Sequence, residues 1–112
     1  MEKLIERGLL FDFYGELLTD HQKNIYSEAV FNDLSLAELS EETGISRQGI
    51  HDIIKRCDKM LEGYEESLKL INKFNRIKEE ISLLSKKVDS LDLSSDDRDA
   101  LKNGLQHIIE DL

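Results

Sequence analysis

The sequence has no proline and no tryptophan, one cysteine, and only 15 basic side chains against 24 acidic ones in 112 residues. Each shortage excludes something. Proline is the residue that most strongly interrupts a helix, so its absence, with 35% of residues charged, favours helix throughout. The lone Cys57 permits no internal disulfide and no multi-cysteine zinc site, in keeping with a reducing cytoplasmic compartment. No uninterrupted apolar run exceeds three residues, as in Leu9-Leu10-Phe11, which leaves neither a membrane span nor a secretory signal core. The formal net charge of −9 excludes a surface that coats phosphate backbones indiscriminately, because that affinity comes from Lys and Arg displacing counterions. Any nucleic-acid reader in this chain must be local. What is present is 39% hydrophobic residues, enough for a modest core and too many for a disordered acidic tail.

Apolar and capping residues mark a series of helices. Residues 1 to about 18 place Leu4, Ile5, Leu9, Phe11, Phe13, Leu17 and Leu18 among charges and predict a first helix whose aromatics Phe11, Phe13 and Tyr14 anchor the core. Thr19-Asp20-His21-Gln22 reads as a capping box opening a second helix, with Ile25, Tyr26, Ala29 and Val30 on one face, until Asn32-Asp33 breaks it. Ser35-Leu36-Ala37-Glu38 repeats the same box for a short third helix through about Thr43, which Gly44 ends. Ser46 then caps a fourth helix, read as 46–61, with Ile50, Ile53, Ile54, Cys57 and Leu61 at helical spacing.

After Glu62 the pattern changes, dividing the chain into a module over 1–62 and a C-terminal extension over 63–112. Leu70, Phe74, Ile77, Ile81, Leu84, Val88 and Leu91 alternate spacings of four and three, the seam of a coiled coil or of a long antiparallel helix pair, and a candidate self-association surface. Ser94 with Asp96 and Asp97 starts a last helix carrying Leu101, Leu105, Ile108, Ile109 and Leu112. The fold class expected is all-α: a helix-turn-helix bundle, then a long helix and a C-terminal helix.

The most informative stretch is Leu36–Arg56. Gly44 permits a sharp turn, Ser40 lets a second helix cross closely, and Leu39, Ile45, Ile50 and Ile53 point inward, which together meet the requirements of a helix-turn-helix. The fourth helix then presents Arg47, Gln48, His51, Asp52, Lys55, Arg56 and Lys59 outward. Over 43–60 four basic residues face Asp52 and Asp58, a local surplus of positive charge inside a chain of −9. The candidate nucleic-acid-binding residues are Ser46, Arg47, Gln48, His51, Lys55 and Arg56. In this arrangement Arg47 and Gln48 meet base edges, while Ser46, Lys55 and Arg56 donate to phosphates. Two positions predict weak binding: Gly49 costs about 1 kcal/mol inside a helix relative to Ala, and Asp52 faces the phosphate side.

Leu18-Thr19-Asp20-His21-Gln22, Asn32-Asp33, Leu36-Ala37-Glu38-Leu39-Ser40 and Gly44-Ile45-Ser46-Arg47-Gln48-Gly49-Ile50 together resemble the fourth, promoter-reading region of bacterial sigma factors. With Leu10-Phe11-Asp12-Phe13-Tyr14 before them and the run from Ile54 to Glu62 after, the chain is similar to the YlxM family over roughly residues 3 to 90. These are small helical bacterial proteins with a sigma-like module and a helical extension. The resemblance implies a DNA-binding regulatory protein of the signal recognition particle pathway, a link that rests on gene neighbourhood within the family. The alternative it leaves is a protein or RNA partner of that machinery that binds no DNA.

Catalysis and metal binding find no support in the sequence. His21, His51 and His107 are scattered without partners at ligand spacing, so neither a metal site nor another cofactor is expected. The run from Asp92 resembles a calcium loop but has Asp97 and Asn103 where the glycine and the glutamate belong, and capping explains it better. The expectation is a non-enzymatic cytoplasmic homo-oligomer with DNA or RNA as partner, not inserted in a membrane.

Overall fold

Local hydrogen bonds set the boundaries of most helices. The fold is described from a computed structural model that covers residues 2–112, so the expected start of the first helix at Met1 lies outside the described residues. Helix α1 spans Glu2–Tyr14 and tightens into a 3₁₀ turn over Gly15–Leu17, where Gly15 is buried beneath the Phe11 ring. Thr19 then caps α2 (Asp20–Val30): its hydroxyl accepts from the Gln22 N–H at 3.1 Å, and the Gln22 side chain accepts from the Thr19 N–H at 3.0 Å. Ser35 and Glu38 make the same reciprocal pair at the start of α3 (Leu36–Thr43). Ser46 caps α4 (Arg47–Leu68), and Ser94 caps α6 (Ser95–Glu110). Between them lies α5 (Leu70–Ser90). Among the described residues there are six α-helices and no strands.

Helix α4 runs to Leu68, past the expected end near Leu61. The added turns have their own packing. Tyr64 lies against Tyr14, with ring centroids 6.0 Å apart, and the Tyr14 hydroxyl donates to the Glu65 carboxylate at 2.5 Å. The helix stops where Lys69 takes the left-handed conformation at φ 55° and donates its N–H to the Glu65 carbonyl.

The chain packs as two units, one up to Lys69 and one from Leu70 onward. In the first, α4 is the common partner of α1, α2 and α3. Tyr14, Tyr26, Leu39, Ile50, Cys57 and Leu61 are fully buried there. Phe11 stacks on Tyr26 at 5.8 Å and tilts against Phe31 at 5.2 Å, which gives the expected aromatic anchor its contacts. Such pairs add to stability beyond the area they bury.

The second unit is an antiparallel hairpin of α5 and α6. Ile81 and Val88 are buried, Lys102 donates to Asp89 at 2.7 Å, and Arg98 donates to the Leu91 carbonyl at 2.7 Å. The apolar stripe of α5 is therefore divided. Ile81 and Val88 serve the hairpin, Phe74 and Ile77 are half-buried, and Leu70, Leu84 and Leu91 are exposed.

Candidate nucleic-acid interface

The turn between α3 and α4 is built from four adjacent residues. Gly44 adopts φ 76°, ψ 3°, the left-handed conformation that L side chains resist, and its N–H donates to the Ser40 carbonyl. The Thr43 hydroxyl donates to the Leu39 carbonyl at 2.7 Å and accepts from the Ile45 N–H at 3.2 Å, which holds the chain as it leaves α3. The Ser46 hydroxyl accepts from the Gly49 N–H at 3.0 Å. Under the turn, Ile25, Leu39 and Ile50 form a closed core, with Ala29, Leu34, Leu36, Ile45, Ile53 and Ile54 packed against it. The inward positions read from the sequence are the ones that meet.

Gly49 has a steric reason that spacing did not reveal. A Cβ there would lie 2.9 Å from the Ile45 Cγ2 and 3.1 Å from the Ser46 Oγ. The first turn of α4 closes tightly over the residue before its own cap, and only glycine leaves room. The propensity cost of Gly49 is thus set against the fit of the turn, and it carries no information about affinity for a ligand.

Beyond that turn α4 presents an exposed face. Ser46, Arg47, Gln48, His51, Lys55 and Arg56 are all exposed, and Asp52 and Lys59 share the surface with them. The Gln48 amide donates to the Asp52 carboxylate at 3.0 Å, one helical turn on. Ser46 uses its oxygen as an acceptor for the cap, which leaves its O–H available as a donor. Here the six residues singled out as binders occupy the start and first half of a single helix.

Asp58 does not share that surface as the sequence count supposed. Its carboxylate accepts two hydrogen bonds from the Arg7 guanidinium, at 3.1 and 2.6 Å, and a third from the Tyr26 hydroxyl. A bidentate pair of this kind is the stronger form of ion pair, and it ties α1, α2 and α4 together at one point. The hydrogen bond to Asp58 holds the Arg7 guanidinium above its usual range, and burial followed by the Asp58 carboxylate pushes the Tyr26 phenol up. Burial, helped by the same carboxylate, raises the Cys57 thiol. This makes Cys57 a poor nucleophile, as its buried position suggests. Sequence reasoning missed Arg7 and Tyr26 because they stand 51 and 32 residues from Asp58, beyond the reach of any helical period.

With Asp58 neutralised, the outer face of α4 between residues 47 and 59 has Arg47, Lys55, Arg56 and Lys59 against Asp52 alone. The neighbouring helix is of opposite sign: Glu38, Glu41 and Glu42 of α3 are all exposed. Among the described residues no three His, Cys, Asp or Glu side chains come together to hold a metal ion, and no helix is long and apolar enough to cross a membrane.

Comparison with known proteins agrees with this architecture. The family model described as "Putative helix-turn-helix protein, YlxM / p13 like" matches residues 1–101. The chain is 45% identical over 109 residues to a UPF0122 protein of Clostridium novyi, covering 96% of this chain and 93% of the relative. It is 45% identical over 95 residues to a relative from Acetivibrio thermocellus, with 85% and 81% of the two chains covered. A third, from Halalkalibacterium halodurans, is 43% identical over 89 residues, covering 80% of this chain and 82% of its own. No solved structure is a significant match. From the match over residues 1–101 and these identities, the chain belongs to the YlxM/p13-like family of helix-turn-helix proteins.

Proposed function

We propose that the protein is a nucleic-acid-binding regulator that engages DNA through the exposed first half of α4. The observation carrying this reading is the exposed set Arg47, Lys55, Arg56 and Lys59 on the second helix of a helix-turn-helix, with Asp52 the one carboxylate left among them and Asp58 withdrawn onto Arg7. Phosphate contacts from Arg and Lys supply affinity and position, and side chains at the start of the helix reach base edges. Arg47 and Gln48 take the base-edge role. Ser46, His51, Lys55 and Arg56 take the backbone. The carboxylates of α3 repel a phosphate backbone that approaches from the wrong side, so the duplex has one productive face. A single small module gains from acting in pairs, as a cytoplasmic homo-oligomer.

The test is fluorescence anisotropy with labelled duplex DNA at low salt. Arg47→Ala with Lys55→Ala should weaken binding at least roughly tenfold and lower the slope of log affinity against log salt by about one to two. Unchanged binding overturns the assignment of α4.

A second reading rests on the exposed Glu38, Glu41 and Glu42. In it the helix-turn-helix is a scaffold, and the acidic helix docks a basic protein or ribonucleoprotein surface of the signal recognition particle machinery. That reading predicts negligible DNA affinity at physiological salt and recovery of targeting components in a pull-down that Glu41→Lys with Glu42→Lys abolishes. An RNA ligand would be held by the same basic face of α4, through shape and phosphate contacts.

A further inference from the structure

The hairpin of α5 and α6 leaves one side apolar and uncovered. Leu84 and Leu91 of α5 are 49% and 52% exposed, and Leu101 and Ile108 of α6 are 48% and 50% exposed. Their directions follow from helix geometry. Helix α5 turns its buried Ile81 and Val88 toward α6, and the half-buried Leu105 and Ile109 of α6 line the groove between the helices together with Ile81 and Ser85. At about 100° per residue, Leu84 and Leu91 are turned from the contact edge of α5 in the same rotational sense as Leu101 and Ile108 from that of α6. Between antiparallel helices, equal rotations carry side chains onto the same side of the hairpin. The four therefore form one continuous apolar face, while only Ile81 and Val88 are buried in the hairpin and α6 has no buried residue. An amphipathic element must bury such a face against another element to be stable.

We propose that this face is covered by the same face of a second copy, which makes an antiparallel four-helix bundle in which α5 of one protomer lies on α6 of its partner. The flanking charges favour self-pairing in that arrangement. The open edge of α5 carries Lys73, Arg76 and Lys87 against Glu80, whereas the open edge of α6 carries Asp97 and Asp111 with no base. A twofold axis along the helices brings the basic edge of each protomer onto the acidic edge of the other, twice. Gly104 lies on the same side in mid-helix, with nothing within 4 Å of where a Cβ would stand. A glycine there weakens the isolated helix and leaves room for a second helix to approach closely on that side. Four-helix bundles built from paired hairpins pack side chains in this way. The inference is independent of the nucleic-acid reading.

Sedimentation or light scattering of the full chain across a concentration series tests it. The expected mass at high concentration is twice 12.9 kDa. Leu84→Glu with Ile108→Glu should shift the monomer–dimer midpoint by roughly a hundredfold or more, because each change enters the interface twice, with helical circular dichroism retained. Gly104→Gln supplies a second test, because it should raise the helicity of the chain and yet weaken the dimer. Arg76→Glu should weaken pairing, and adding Asp111→Arg should restore it. A monomer at every concentration overturns the proposal and assigns the face to a different protein. A dimer unaffected by Leu84→Glu with Ile108→Glu overturns it equally.

Discussion

Gly49 and Asp58 are the residues whose roles change most between sequence and structure. By propensity alone, Gly49→Ala should stabilise an exposed helix. The contact of 2.9 Å with Ile45 reverses the sign, and Gly49→Ala should cost about 1–3 kcal/mol, read from urea unfolding. Asp58→Ala leaves the Arg7 guanidinium and the Tyr26 hydroxyl without their acceptor and should cost on the order of 1–3 kcal/mol by the same measurement. The pH dependence follows from Tyr26 and Cys57. Both groups are held protonated in the folded state, so the unfolded chain releases their protons first. Stability is fully present at neutral pH and should fall once the pH passes the ordinary values of 9.0 for Cys57 and 10.0 for Tyr26. Tyr26→Phe should flatten most of that alkaline loss, which unfolding curves between pH 8 and about 11 would check.

At the scale of elements, the legible features were those written within three or four residues. The Thr19/Gln22 and Ser35/Glu38 boxes, the Ser46 and Ser94 caps and the left-handed Gly44 all lie next to the backbone groups they satisfy. Gly44→Ala should cost about 1 kcal/mol through its positive φ, and Ser46→Ala about 1 kcal/mol through the lost cap, both measurable by thermal denaturation. The sequence places the end of α4 too early, because the apolar period changes after Glu62 and Gly63 follows, although neither stops the helix. What extends the helix is a partner far away in the chain, Tyr14 against Tyr64 and Glu65. The α5 stripe was legible as a stripe, but spacing does not say which of two flanks a neighbouring helix will take. Ile81 and Val88 went to α6, and Leu84 and Leu91 did not.

For the whole molecule, a charge of −9 and a basic outer face on α4 are reconciled by segregation. The candidate binding residues could be named from the sequence because a helix-turn-helix dictates which helix faces outward. Their net field could not, since that required knowing that Asp58 is paired with Arg7. Binding to any nucleic acid should then fall with salt along a modest slope, set by the few phosphate contacts, and be lost before physiological salt in the Arg47→Ala, Lys55→Ala variant.

Helix α4 is the one element that α1, α2 and α3 all pack on, and every fully buried side chain from Ile50 to Leu61 belongs to it. The helix-turn-helix therefore cannot be excised. A synthetic peptide of Leu36–Arg56 would keep the turn and its caps but lose Cys57, Asp58 and Leu61, and with them the contacts to α1 and Tyr26. It should be unstructured in water by circular dichroism. In the intact protein the amides around Cys57 to Leu61 should be the last of the module to exchange with deuterium, opening only when the whole module unfolds.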